Sequence, residues 1–274
     1  MNITVLSGKG GTGKTTISTN LSSILQANYF DCDVEEPNGF LFLDPNNIET
    51  KNVEVEIPEI DKDKCNMCGK CVKTCKFNAL AKTKKDIIVF DKLCHSCGAC
   101  EIVCPTGALK YVDRKIGVIE EGRKNNSIYK RGLLDIGEPM AVPILKDLLN
   151  SLPEGLNILD SSPGTSCNVV KTLNYTDKAV LVTEPTLFGL TDLKRAVELV
   201  KNMDIPLGIV INKYDKDNKI LDEYIKEQNL NVLGYIPYTK KAAIHYSKGK
   251  LLIDIPEYKE AFINIAENIK ERLL

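Results

Sequence analysis

The sequence predicts an α/β protein: a mostly parallel sheet with helices on both faces, interrupted by a small inserted module. Three observations carry that reading. Short apolar runs alternate with amphipathic stretches along most of the chain. A glycine-rich loop, Gly8-Lys9-Gly10-Gly11-Thr12-Gly13-Lys14-Thr15, joins the first apolar run to the first helical stretch. Eight of the ten cysteines fall between positions 65 and 104, where β-branched runs are sparse.

Ile3–Leu6 reads as the first strand, and Leu156–Asp160, Ala179–Thr183, Leu207–Asn212 and Val232–Ile236 as later ones. Leu190–Val200 and Ile220–Gln228 have helical spacing. Glu257–Leu274 puts Tyr258, Phe262, Ile265, Ile269 and Leu273 on one face. With three basic and four acidic residues, that segment suits a closing helix on the sheet better than a membrane-surface helix. The module begins just after Glu54–Pro58, with expected bounds of 60–110, so the α/β domain is discontinuous, 1–59 and 111–274.

Composition narrows the function. With 274 residues, 43% hydrophobic and 27% charged, the chain can bury one large core plus a small module. A net charge of -1 provides no basic field for nucleic acid. No basic-apolar leader precedes the first strand, and no apolar run reaches the roughly 18–20 residues that span a bilayer. A cytoplasmic protein without stable membrane association is expected.

The loop matches G-x4-G-K-T in the strand–loop–helix context that makes the pattern a phosphate site. Gly8, Gly10, Gly11 and Gly13 let backbone N–H groups, with those of Lys9 and Thr12, turn inward around phosphates at a helix N-terminus. Lys14 is expected to reach the β- and γ-phosphates of ATP or ADP, Thr15 to ligate Mg²⁺, and Thr16 to approach the α-phosphate. A glycine-rich turn alone explains neither the Lys-Thr pair nor the context. Lys9 is, on the residues alone, one more cation near phosphate.

The cysteines form two C-x2-C-x2-C-x3-C runs: Cys65, Cys68, Cys71, Cys75, then Cys94, Cys97, Cys100, Cys104. They repeat with a period of 29 residues, and Ala79-Leu80 aligns with Ala108-Leu109. This is the spacing of bacterial-type ferredoxins, in which the fourth cysteine of each run ligates the other cluster. It predicts a small 2[4Fe–4S] ferredoxin-like domain with two [4Fe–4S] clusters. Cys65, Cys68, Cys71 and Cys104 would hold one, and Cys94, Cys97, Cys100 and Cys75 the other. Zinc is the competing metal, since two C-x2-C pairs can form a four-cysteine site, but it has no use for the third and fourth cysteine of each run. Lys76 stands where the second run has Pro105, which alters a turn and removes no ligand.

Lys9-Gly10-Gly11-Thr12-Gly13-Lys14-Thr15 resembles the deviant loop K-G-G-x-G-K-T of MinD/ParA-type P-loop ATPases. The resemblance implies that Lys9 reaches the neighbouring subunit's nucleotide in an ATP-dependent homodimer. Asp31–Asn38 resembles the family's first switch, making Asp33 the residue that positions the attacking water. Asp160-Ser161-Ser162-Pro163-Gly164 resembles the D-x-P-P-G second switch, with Ser162 in place of a proline, and Asp160 would hold Mg²⁺ through water. Asn212 resembles the adenine-reading Asn, and Pro237 the loop whose backbone meets the base. Val34–Asn38 and Thr183–Leu190 are similar to V-E-E-P-N and T-E-P-T-x-F-G-L of the subgroup with an inserted ferredoxin domain. Nitrogenase iron protein and the Fe–S scaffold ATPases are more distant relatives.

Cys32 reads as core. Cys167, seven residues after Asp160, matches the offset of a subunit-bridging cluster ligand in nitrogenase iron protein. The second ligand such a cluster needs is missing, so a buried, unreactive thiol is expected, with a redox-sensitive thiol as the alternative. His95 and His245 are isolated and read as surface or hydrogen-bonding residues. The expected activity is ATP hydrolysis coupled to electron transfer with an unidentified redox or Fe–S partner protein. The alternatives are a cluster assembly or carrier ATPase, or a positioning or regulatory ATPase whose clusters are sensors or staples.

Overall fold

The computed structural model describes residues 1–273. The chain lays down β1 (Asn2–Leu6), α1 (Lys14–Leu25), β2 (Asn28–Asp31), α2 (Phe40–Leu43) and a long β3 (Asn46–Ile60). The cysteine-rich stretch contains α3 (Lys70–Thr74), β4 (Leu80–Lys82), β5 (Ile87–Val89) and α4 (Ala99–Ile102). The chain returns along β6 (Leu109–Lys124) and β7 (Ser127–Leu134). It then alternates as α5 (Val142–Asn150), β8 (Asn157–Asp160), α6 (Cys167–Leu173), β9 (Lys178–Thr183), α7 (Leu187–Asn202) and β10 (Leu207–Tyr214). It closes with α8 (Asp222–Glu227), β11 (Asn231–Pro237), α9 (Lys240–Tyr246) and α10 (Pro256–Leu273).

Nine strands form one sheet in the order β11-β10-β9-β1-β8-β2-β7-β6-β3. From β11 to β7 every neighbouring pair is parallel. The central strands carry continuous apolar runs because helices cover both faces. One face packs Ile17 and Leu21 of α1 with Phe262, Ile265 and Ile269 of α10. The other packs Val169 and Leu173 of α6 with Leu193, Val197 and Val200 of α7. The five apolar positions expected on the closing helix are all buried, each adding about 1.5–3 kcal/mol. Leu274, the end of that expected helix, lies outside the described residues.

The sheet differs from expectation at one edge. β6 runs antiparallel to β7, and β3 antiparallel to β6, from Asn46↔Arg123 to Ile60↔Leu109. Val53, Val55 and Ile57 alternate with Glu54 and Glu56, a strand period, but the many Glu and Lys residues leave no continuous apolar run of the kind that marks the central strands. That composition suits an exposed edge, where charge opposes pairing with another chain. Pro58 sits in edge strand β3, where its missing N–H removes little. Residues 61–108 lie beyond the last rung of this ladder, with β4 and β5 as a separate two-stranded sheet.

Candidate functional site

The glycine-rich loop turns between β1 and α1, with Gly11 at φ 79° and Gly13 at φ 92°. A Cβ on Gly13 would fall 2.1 Å from Asn212 Nδ2, so only glycine admits the close approach of β10. Asn212 Nδ2 donates to Thr12 O at 2.7 Å and braces the loop. The 12-residue α1 begins at Lys14 and directs its N-terminal N–H groups toward the loop.

Strand register builds an acidic pocket beside it. β2 and β8 are parallel neighbours with Asp31 opposite Asp160, so two carboxylates meet at the C-terminal edge of the sheet. Lys14 Nζ donates to Asp160 Oδ1 at 2.9 Å and lies 3.7 Å from Asp33 Oδ2. Tyr29 Oη donates to Asp160 Oδ2 at 2.9 Å, and Gly39 N to Asp31 Oδ2 at 2.8 Å. Burial, then the charge of Asp160, pushes Asp31 up to about 7. Burial also raises Asp33 to about 6, although Lys14 opposes it. For Lys14, burial favours the neutral amine, but Asp160 and Asp33 outweigh it and hold the ammonium above its ordinary range. Asp31 and Tyr29 have no expected role in the sequence reading; the signal for them is register, which spacing does not contain.

Asn212 and Pro237 line one pocket of about 390 Å³ with Gly11, Gly13, Thr16 and Tyr246. It opens beside the phosphate loop and is walled by apolar atoms of Ile236 and Leu252, dimensions and polarity suited to a purine. Lys9 turns away from this pocket: its Nζ donates to Glu184 Oε1 at 2.6 Å. Lys213 donates to Glu184 Oε2 at 2.9 Å and to Gly11 O at 3.0 Å. Burial acts to raise Glu184, but these two lysines hold it below the usual carboxylate range. Within one subunit Lys9 is thus tied to β9's terminal loop. Ser162, the departure from the D-x-P-P-G pattern, donates to Cys32 O at 3.2 Å and ties the segment after β8 to the segment after β2.

The eight cysteines of the repeat line two separate cavities. Cys65, Cys68, Cys71 and Cys104 line one, and Cys75, Cys94, Cys97 and Cys100 line the other. The repeat is copied in the backbone. Met67 and Ser96 have φ 57° and 52°, Gly69 and Gly98 have 75° and 77°, and Asn78 and Gly107 have 55° and 61°. Ala79 N and Ala108 N donate to Cys75 Sγ and Cys104 Sγ, both at 3.3 Å. Such N–H···S bonds hold thiolate ligands and tune their metal centre. Among the described residues no three His, Cys, Asp or Glu side chains converge on a point fit for a single metal ion. A zinc ion needs four sulfurs about 2.3 Å from one centre, whereas a four-iron cluster is held at its corners and spreads its thiolates wider. Four cysteines at each cavity are the donor set that a [4Fe–4S] cluster would take.

The second cavity's half of the module is fastened to the α/β domain. Arg114 of β6 makes a two-pronged bond to buried Glu138, at 2.6 and 3.2 Å, and its Nε lies 3.9 Å from Asp91. Lys92 Nζ donates to Gly137 O at 3.1 Å, and Ser96 Oγ to Glu56 O. Leu134 N in turn donates to Val34 O at 2.9 Å, so the same segment touches the first switch.

The two spare cysteines divide. Cys32 is buried in the core as expected, but Cys167 is exposed, which corrects the expectation of a buried thiol. It opens α6, whose inward face is taken by Val169 and Leu173. His95 stacks on Phe77 with centroids 3.9 Å apart, and His245 lies 3.4 Å from Asp254. Among the described residues, no helix is long and apolar enough to cross a membrane.

Residues 3–253 match the CobQ/CobB/MinD/ParA nucleotide binding domain family. The chain belongs to this family. As a MinD/ParA-type protein it is an ATP-binding P-loop ATPase. An uncharacterised Methanocaldococcus jannaschii protein is 33% identical over 96% of this chain and 97% of its own. An iron-sulfur cluster carrier protein of Pyrococcus abyssi is 27% identical over 99% of this chain and 86% of its own. The septum site-determining protein MinD of Pyrococcus horikoshii, complexed with Mg-ADP, has the same fold, with a TM-score of 0.61 at 19% identity, over 98% of this chain and 96% of that one.

Proposed function

We propose that this MinD/ParA-type ATPase couples its nucleotide state to low-potential electron transfer through two [4Fe–4S] clusters, working as an ATP-dependent homodimer. The observation that carries the reading is the distribution of the cysteines. Each cavity is lined by three cysteines of one run and the fourth of the other. When bound, the clusters supply one-electron carriers.

The nucleotide chemistry follows from the residues around Lys14. Lys14 would leave Asp160 for the β- and γ-phosphates, and Thr15 and Asp160 would hold Mg²⁺. Mg²⁺ neutralises phosphate charge when bound. Asp33 orients the attacking water, and Asn212 and Pro237 hold adenine. Lys9 releases Glu184 and reaches the partner subunit's nucleotide. The first switch then moves relative to the segment that holds Arg114 and Glu138, and the second cluster's environment moves with it.

A second reading, a cluster carrier, is favoured by the relatives named iron-sulfur cluster carrier proteins. One anaerobic experiment separates them. Potentials of both clusters are measured by EPR without nucleotide, with ADP and with a nonhydrolysable ATP analogue, and the loaded protein is mixed with an apo-ferredoxin. Potentials that respond to nucleotide, with iron retained, support coupling. Unresponsive potentials with rapid transfer of iron and sulfide support the carrier.

A further inference from the structure

The two halves of the cysteine module share a backbone but not a charge. α3 and α4 are counterparts at the 29-residue offset, each entered through a left-handed glycine, Gly69 and Gly98. On the first half, Lys70, Lys73 and Lys76 are all exposed. Their counterparts are Ala99, Ile102 and Pro105. The second copy of the same turn folds without these lysines, so the fold does not require them. Lys82 adds a fourth ammonium, donating to Met67 O beside the same cysteine loop.

These charges are uncompensated. The nearby carboxylates are taken by other lysines, Asp86 by Lys62 and Asp61 by Lys64. Among the described residues none pairs with Lys70, Lys73, Lys76 or Lys82. Lys70 also lines the cavity of Cys65, Cys68, Cys71 and Cys104, and Cys68 is itself exposed. The other half, by contrast, is fastened to the α/β domain through Lys92, Ser96 and Asp91. In a chain of net charge -1, exposed lysines without acid partners, with Lys70 and Lys82 beside the first cysteine site, give that end of the module a positive field.

We propose that the face formed by Lys70, Lys73, Lys76 and Lys82 docks a small acidic electron-carrier protein of the ferredoxin class, delivering electrons at the first cysteine site. The proposal rests on the cluster reading given above. In the step, one electron leaves the carrier's reduced centre, which is oxidised, and enters the cluster at Cys65, Cys68, Cys71 and Cys104, which is reduced. No bond is made or broken and no proton moves. Charge complementarity steers the encounter and is screened by salt, so its signature lies in the association rate. A nucleic acid or an anionic membrane offers negative charge as well, but neither has an electron to place beside Cys68.

The test uses the anaerobically purified holoprotein with iron and sulfide quantified first. A reduced acidic ferredoxin is mixed with it in a stopped-flow instrument, at ionic strengths from about 20 to 500 mM. The expected second-order rate falls about tenfold or more over that range. The K70E/K73E/K76E variant loses a similar factor at low salt, and replacement of the three by alanine loses less. The K259E/K270E variant, on the far helix α10, stays within about twofold of wild type. A rate indifferent to salt, or equal losses in both glutamate variants, overturns the proposal. So does lysine-dependent binding to RNA or to phosphatidylglycerol vesicles without preference for the acidic carrier. Absence of iron and sulfide in the purified, reconstituted protein instead sinks the cluster reading, and the two failures are distinct.

Discussion

Lys14 Nζ lies 2.9 Å from Asp160 Oδ1 in a site where both side chains are buried. The lysine that a P-loop directs at phosphate is therefore paired with the carboxylate that the proposed chemistry would use for Mg²⁺. The ion pair keeps both charges satisfied until a nucleotide replaces one partner and a cation the other.

Lys14→Met should reduce ATP turnover by at least about a hundredfold. It also strands Asp160 as an unpaired buried carboxylate, which costs about 3–5 kcal/mol. Iron content should stay that of wild type, because the cysteines lie in the separate module. ATPase assay, chemical denaturation and iron analysis of the same preparation check the three outcomes.

Asp33 must be ionised to orient water, and its pKa stands near 6. kcat/KM for ATP should therefore rise with pH through about 6, and Asp33→Asn should lose both the activity and that limb. A profile flat from pH 5 to 8 in the wild-type enzyme counts against this role.

Stability should show the opposite trend. Asp31 is raised to about 7 from its ordinary 3.8, so the folded chain binds a proton that the unfolded chain has released. The nucleotide-free protein then loses stability as pH rises from about 4 to 7 and levels off above, a change on the order of a few kcal/mol. Asp31→Asn should remove most of that fall and leave the smaller one due to Asp33, which burial raises to about 6, as read by urea melts across that window.

Lys9 is held by Glu184 at 2.6 Å within one subunit, in a partly exposed pair. Glu184→Gln should cost less than about 1 kcal/mol. Lys9→Ala should leave ATP binding by the monomer within a few-fold but abolish nucleotide-induced dimerisation in sedimentation velocity. A dimer that survives Lys9→Ala removes the trans role.

Cys75→Ala and Cys104→Ala should each halve the iron content, with a crossed signature. The EPR spectrum of Cys75→Ala should match that of Cys94→Ala, and that of Cys104→Ala should match Cys65→Ala. If Cys75→Ala instead matches Cys65→Ala, each run holds its own cluster.

Much of the α/β domain was legible in local spacing. β1, β8, β9, β10 and β11 lie within a residue or two of the apolar runs that predicted them; the inner four are apolar because helices cover both faces, while edge strand β11 buries only Leu233 and Ile236. The antiparallel edge was legible only as a short two-residue alternation and was missed. β3 and β6 alternate charge with apolar residues, and Pro58 reads as a breaker until the strand is known to be an edge. At the site, Lys14 and the glycines follow from a motif, and Glu184 belongs to the Thr183–Leu190 motif, but its pairing with Lys9 and Lys213 is set only by the fold. Cys167 shows the limit most plainly: apolarity predicts burial for a free thiol, yet α6 turns Val169 and Leu173 inward and leaves Cys167 outside.

By itself the sequence determined the phosphate loop, the twofold cysteine repeat and the alternating core of the domain. Each depends on neighbours within a few residues, where backbone geometry is decided by glycine, spacing and apolar period. Tertiary structure alone decided which charges meet: Asp31 beside Asp160, Lys9 on Glu184, Arg114 on Glu138. Those pairs join positions far apart in the chain, and only strand order and register bring them within reach.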